Sequence, residues 1–272
     1  MNRRTFTQTL AAAALSAVAA PLKAAPASAE SSPKAPPFPL SVMLWTVFTD
    51  LPFEERLAKV AEAGYSNVEL VGEYSKWSAA DFARANTARK RLGIEFDATA
   101  GLAHGIADPA SRDALLAELR QALTPMETLK RAAALVEGRM INGQPVRLLL
   151  ECIDPEENPR YFLTSAAEAI EVVRQVNHPQ VQFLYDIFHE QIAEGNLIEK
   201  LDKHIDVIGL IHVANVPGRH EPGTGEINYF NIYRKLAQLN YKRMVAMEFH
   251  PTGDPVATLR AAKALALNAG AI

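Results

Sequence analysis

From Phe38 onward the chain repeats one alternation: a short, almost wholly apolar run, a turn, then a segment of helical periodicity. The apolar runs are LSVMLWTVF, YSNVELVG, IEFDATAG, VRLLLECI, VQFLYDIF, IDVIGLIHVANV and MVAMEFH. Strands that are apolar on both faces need cover on both faces, so they read as a parallel sheet under helices. The helical segments carry their own punctuation. Pro52 and Gly64 bracket the first, and Ser78 and Gly93 the second. Thr164 or Ser165 opens the helix after VRLLLECI, with Glu168 in the capping-box position behind Ser165. Further helices are read in DPASRDALLAELRQAL, PMETLKRAAALVEG, NLIEKLDKH, YFNIYRKLAQLN and DPVATLRAAKALALN. Repeated βα units favour a closed (β/α)8 barrel of TIM type over a doubly wound sheet, which would carry a Gly-rich phosphate loop. Neither G-x-G-x-x-G nor G-x-x-x-x-G-K-[ST] occurs, so no nucleotide cofactor is expected. Seven strands are counted, not eight. Between Gly101 and Val146 the strong patterns are helical, so the barrel is expected to lack its fourth strand and to be seven-stranded or incomplete.

In barrels of this kind the chemistry sits where the strands end. LLLE delivers Glu151, FLYD delivers Asp186, GLIH delivers His212 and VAME delivers Glu248. The gaps are 35, 26 and 36 residues, each about one βα unit. A lone carboxylate at a strand end is more often a helix cap or half of an ion pair, and a lone histidine there is more often a satisfied core residue. Four in register are different, because uncompensated buried carboxylates cost several kcal/mol and normally find a cation. Glu151, Asp186, His212 and Glu248 are therefore expected to hold a divalent metal. Three carboxylates and one imidazole suit Mn²⁺ or Mg²⁺, with Co²⁺ or Zn²⁺ as alternatives.

Other residues point to the same mouth. His189 follows Asp186 by three positions. Arg219 lies in VPGRHEPGTGEINY, a loop too long and polar for a plain connector, and can clamp a carboxylate or polar oxygens. Glu157 is either a substrate contact or a solvated loop charge. Trp45, Glu69 and His104 follow or end earlier strands; Trp45 can wall the pocket, and His104 is a weak candidate.

The bulk numbers set limits. Among 272 residues, 28 Lys and Arg oppose 31 Asp and Glu, a net charge of -3 with no basic stripe, so nucleic acid is not an expected partner. With one cysteine, Cys152, no internal disulfide can form. The first 30 residues pair Arg3 and Arg4 with Phe6, an Ala-rich run and ASA before Glu30. That pattern predicts a bacterial export signal over 1–29, of the twin-arginine type, and a periplasmic destination. Its apolar run falls short of the ~20 residues a bilayer span needs, so no membrane association is expected after signal removal. Residues 30–37 read as a disordered linker, and 38–272 as one catalytic domain. A homo-oligomer is left open.

The chain resembles the hydroxypyruvate isomerase family, among the xylose-isomerase-like barrel enzymes that include ketose 3-epimerases. LPFEERLAKVAEAGYSNVEL, LLLECI, VQFLYDIFHEQIAEGNL and PGRHEPGTGEINY carry the likeness, which runs from about Ser41 to Pro251. The RHEP…GEINY segment is its most specific part. The resemblance implies that Glu151 and Glu248 flank the substrate as an acid/base pair and touch the metal. It implies Asp186 and the position of His212 as further ligands, and His189 and Arg219 as holders of the substrate oxygens. The expected reaction is aldose–ketose isomerisation of a small hydroxy-carbonyl compound of the hydroxypyruvate and tartronate semialdehyde type. A ketose 3-epimerase or another sugar isomerase is the enzymatic alternative, and His212 draws the ligand set towards the epimerases. A catalytically degenerate exported sugar-binding barrel is the alternative of another class. The departure from the family is the fourth strand, and its loss should expose two sheet edges.

Overall fold

A computed structural model describes residues 36–100, 125–141, 143–159, 161 and 163–270. Its strands are β1 (Leu40–Met43), β2 (Asn67–Val71), β3 (Glu95–Ala100), β4 (Met140–Ile141), β5 (Gln144–Pro145), β6 (Leu148–Glu151), β7 (Val181–Asp186), β8 (Ile208–Val213) and β9 (Met244–Met247). The helices are α1 (Phe53–Glu62), α2 (Ala79–Leu92), α3 (Pro125–Val136), α4 (Ala166–Val176), α5 (Ile187–Ala193), α6 (Leu197–His204), α7 (Tyr229–Gln238) and α8 (Pro255–Ala269). The expected signal over 1–29, most of the expected linker, the DPASRDALLAELRQAL helix and His104 lie outside the described residues. At the start of the described residues the Pro37 carbonyl accepts from Lys242 Nζ at 3.3 Å.

β4 and β5 pair as a small antiparallel hairpin. The other strands form one parallel sheet in the order β3-β2-β1-β9-β8-β7-β6. The first strand therefore pairs with the last, and the sheet winds outward from them in both directions, as a βα barrel does. Among the described residues the winding stops short of closure. β3 pairs with β2, β6 pairs with β7, and no ladder joins β3 to β6 among the described residues. The result is a TIM-barrel-like half-barrel. Every residue of β7 and β8 is buried, whereas all four positions of β6 are half-buried, as expected where cover ends on one side.

Local chemistry explains the element bounds. Ser78 and Asp81 close a reciprocal capping box on α2, and Gly93 ends that helix at φ +67. The Ser165 hydroxyl caps α4 by accepting from Glu168 N. The run VQFLYDIF ends sooner than its apolar character suggests. Asp186 is the N-cap of α5, its Oδ1 accepting from Phe188 N at 2.8 Å, so Ile187 and Phe188 are helical. Apolar side chains fall into two groups. The larger fills the space between sheet and helices and includes Val42, Val68, Phe183, Ile211, Val245 and Leu259. The smaller, Leu184, Leu210 and Ala246 with Leu149, Ala98 and Met244 against it, lies inside the curl.

Candidate active site

The inner cluster is the floor of the site. Side chains alternate along a strand, so Leu149 and Glu151 share a face, as do Leu184 and Asp186, Leu210 and His212, and Ala246 and Glu248. Each apolar member of these pairs belongs to the inner group, and each polar member stands one step nearer the carboxyl end. Parallel pairing sets Asp186 opposite His212, and Glu248 N donates to Val213 O at 3.0 Å, one residue past the end of β9. The four side chains expected from sequence thereby converge. One ligand atom from each of Glu151, Asp186, His212 and Glu248 lies within 4.8 Å of the others.

Their environments differ. Asp186 spends Oδ1 on the start of α5, which leaves Oδ2 facing the cluster. Burial alone would lower the His212 pKa, but Glu248 at 2.8 Å from Nδ1 and Glu69 at 2.9 Å from Nε2 carry it well above its usual value. Burial would raise Glu248. His212, Arg219 and the Trp45 indole N–H outweigh it and hold this carboxyl far below its usual range. Glu151 is pushed up to about 8, chiefly by burial, with the Glu248 and Asp186 carboxylates adding to the shift against His212.

Arg219 comes from the long loop after β8. That loop is folded around the buried Asn215, whose Oδ1 accepts from Ile227 N at 3.0 Å, while Glu226 N donates to Val216 O at 2.8 Å. A side chain at Gly225 would meet Val216 O at 2.0 Å, so the loop can turn back this tightly only with glycine there. Arg219 itself sits at φ +55, a sparsely populated conformation for a residue with a side chain. Its guanidinium enters the cluster, with Nη2 at 3.2 Å from Asp186 Oδ2 and 2.7 Å from Glu248 Oε2, and Nη1 donating to Glu157 Oε2 at 2.7 Å. It also lies over the Phe188 ring, 4.8 Å from the centroid. Glu157, 41% exposed, is therefore neither free in solvent nor on the floor of the site; it anchors Arg219 from the rim. Trp45 stands beside the cluster, 37% exposed, and its Nε1 donates to Glu248 Oε1 at 3.1 Å. His189 lies beside Asp186 at 3.3 Å from Nε2, and its Nδ1 meets Asp154 Oδ2 at 2.6 Å. Burial would lower the His189 pKa; Asp186 and Asp154 reverse that, and the net shift is upward.

Asp154 is the member of the site that sequence reasoning passed over. Its Oδ1 accepts from the backbone N–H groups of Glu156 and Glu157, at 2.9 Å each. One carboxylate thus shapes the loop that carries Glu157 and orients His189. Its signal was an Asp-Pro step just past a strand end, a common turn opener. Glu69 was noted as accompanying a strand, but its contact with His212 was not foreseen.

The donors fit a divalent cation. His212 Nδ1 and Glu248 Oε2 approach closely, yet neither has an aligned hydrogen-bond partner among the described residues. Buried polar atoms are rarely left so. Lone pairs converging on one point, from a set made of carboxylates and one imidazole, are what a hard or borderline cation needs.

Residues 126–267 match the family described as Xylose isomerase-like TIM barrel. A protein of Danio rerio, named provisionally as a hydroxypyruvate isomerase, is 31% identical over 257 residues, 78% of this chain and 90% of that one. A 2-oxo-tetronate isomerase of Pectobacterium atrosepticum is 28% identical over 241 residues, 76% of this chain and 90% of that one. Among solved structures, one described as an AP endonuclease, family 2, from Brucella melitensis superposes with a TM-score of 0.66. It has 26% identity and covers 82% of this chain and 96% of its own.

Proposed function

The chain belongs to the xylose isomerase-like TIM barrel family, and we propose that within it the chain is a metal-dependent aldose–ketose isomerase of a small hydroxy-carbonyl compound. Hydroxypyruvate and tartronate semialdehyde are the type of pair intended, and relatives are named as hydroxypyruvate and 2-oxo-tetronate isomerases. The observation that carries the reading is the convergence of Glu151, Asp186, His212 and Glu248 to within 4.8 Å.

A divalent cation held by these four residues would supply electrostatic stabilisation for negative charge developing on the substrate oxygens. The chain's own residues do the rest. In the reaction a proton leaves the hydroxyl-bearing carbon and one is returned to the former carbonyl carbon. The hydroxyl proton ends on the former carbonyl oxygen. That requires an acceptor and a donor at hand. Glu248, held ionised by His212 and Arg219, is the acceptor type. Glu151, pushed up to about 8 in the metal-free cluster, is the more basic of the two carboxyls; with a cation in place of its own proton it is the group that takes up and returns the substrate hydroxyl proton, the donor type. Two carboxyls with pKa values driven apart by their surroundings mark such an assignment. Arg219 and His189 orient substrate oxygens from the loop side, and Trp45 closes the wall. The test is turnover of hydroxypyruvate and of several ketoses, with and without Mn²⁺ or Mg²⁺. Metal-dependent conversion of hydroxypyruvate supports the reading. Conversion of ketoses alone would favour a 3-epimerase, for which the same acceptor and donor could invert one carbon. A purified protein without bound metal and without turnover would favour the degenerate sugar-binding barrel. The proposal includes twin-arginine export to the periplasm, which the mature N-terminus of periplasmic protein would test: cleavage near Glu30 supports it, and an intact Met1 opposes it.

A further inference from the structure

Glu69 belongs to β2, and in the sheet order β1 and β9 separate that strand from β8. Because the sheet curls, its side chain crosses the interior and meets a residue 143 positions away: Glu69 Oε2 lies 2.9 Å from His212 Nε2. Both side chains are 2% exposed. The other ring nitrogen, Nδ1, points to the opposite side, 2.8 Å from Glu248 Oε2 and 3.9 Å from Glu151 Oε1, with no aligned hydrogen-bond partner among the described residues. Glu69 Oε1 also lacks a hydrogen-bond partner among the described residues, so the imidazole is this carboxylate's hydrogen-bonding contact there.

With a cation in place of its second proton the His212 imidazole has one N–H and one lone pair, and the partner of one nitrogen decides which is which. A carboxylate can only accept. Holding it at Nε2 puts the N–H there and leaves the lone pair on Nδ1, aimed at Glu151 and Glu248. A buried carboxylate is a costly way to fill a barrel interior. We propose that Glu69 is the positioning residue of the metal centre: it fixes the His212 tautomer and ring orientation so that Nδ1 is offered to a divalent cation. This rests on the metal site of the proposed function and extends it to a residue on the far side of the barrel.

Removal of such an outer carboxylate typically weakens metal binding ~10–100-fold. Mn²⁺ affinity is to be measured by calorimetry on the metal-free full chain, for wild type, Glu69→Gln, Glu69→Leu and, as a ligand control, Glu151→Gln. Glu69→Leu is expected to lose ~10–100-fold and Glu69→Gln less, since the amide oxygen still accepts from Nε2–H. Wild-type affinity in both Glu69 variants, with loss in Glu151→Gln, overturns this proposal and leaves the metal site standing. No Mn²⁺ binding by wild type overturns the metal site and this proposal together. Should the variants fail to fold, ¹⁵N imidazole shifts of the Zn²⁺-loaded wild type decide. Protonated Nε2 with metallated Nδ1 is expected, and the reverse arrangement refutes the role of Glu69.

Discussion

Arg219 shows how far a single residue can depend on its neighbours. Its charge is balanced by Asp186, Glu248 and Glu157, and its ring neighbours Phe188 and Trp45 fix the plane of the fork. Arg219→Ala should raise KM for an acidic substrate ~10–100-fold, the equivalent of the ~1.5–3 kcal/mol of a hydrogen bond to a charged group. A neutral ketose should suffer much less, and equal effects on both would argue against carboxylate recognition. Glu151→Gln removes the proposed proton donor while keeping the shape, so kcat should fall by ~100-fold or more with an unchanged circular dichroism spectrum; retained turnover would refute the acid/base role. The four converging residues were legible before any coordinates because each obeys one rule, a polar group at the end of an apolar strand. Asp154 and the role of Glu69 were not. The first depends on a loop turning back on His189, and the second on a curl that joins residues 143 apart. Neither relation has a fixed spacing in sequence.

At the scale of elements, the junction of β6, α5 and α6 is held by charge as well as by packing. The Cys152 thiol donates to Glu190 Oε1 at 3.1 Å, and Lys200 Nζ donates to Glu190 Oε2 at 2.7 Å and pairs with Glu194 at 2.8 Å. Cys152 follows Glu151 and Glu190 follows His189, so the same clamp seats two residues of the site. Lys200→Met strands the fully buried Glu190 carboxylate and should cost ~3–5 kcal/mol in urea unfolding. Lys203→Met breaks an exposed pair with Glu199 on the same helix and should cost no more than ~1 kcal/mol. Similar small losses for both would show that the clamp carries no weight. Helix ends in this region could be read from sequence because caps act within three residues, as Ser165 and Glu168 do. The short α5 could not, since Ile187 and Phe188 continue the apolar run of β7. Asp186, capping the helix, overrides that pattern.

For the whole molecule the count of strands was legible and the state of closure was not. Seven apolar runs gave the seven parallel strands found among the described residues, but whether β3 and β6 meet depends on curl, which no local pattern encodes. All four converging residues lie at the ends of β6 to β9, which are mutual neighbours, so the site can assemble without closure. It does so at a cost in like charge that a cation would offset. Glu151 has its pKa raised from 4.5 to about 8, so the folded chain binds more protons there than the unfolded one. Its contribution is full below about 4.5 and is lost as pH rises through about 8. His212, also raised, contributes fully below 6.5 and loses that contribution at higher pH in the same direction. A divalent cation competes with these protons, so its apparent affinity rises with pH, by up to about tenfold per unit for each proton displaced. Stabilisation by ligand follows affinity at fixed concentration. The rise in Tm produced by a fixed concentration of Mn²⁺ should therefore be larger at pH 8 than at pH 6, while the metal-free protein is less stable at pH 8 than these two groups would make it at pH 6. Thermal unfolding at both pH values, with Mn²⁺ and with chelator, measures this directly. An equal or smaller rise at pH 8 would mean that the cation does not displace protons from Glu151 and His212, and that the cluster is not where it binds.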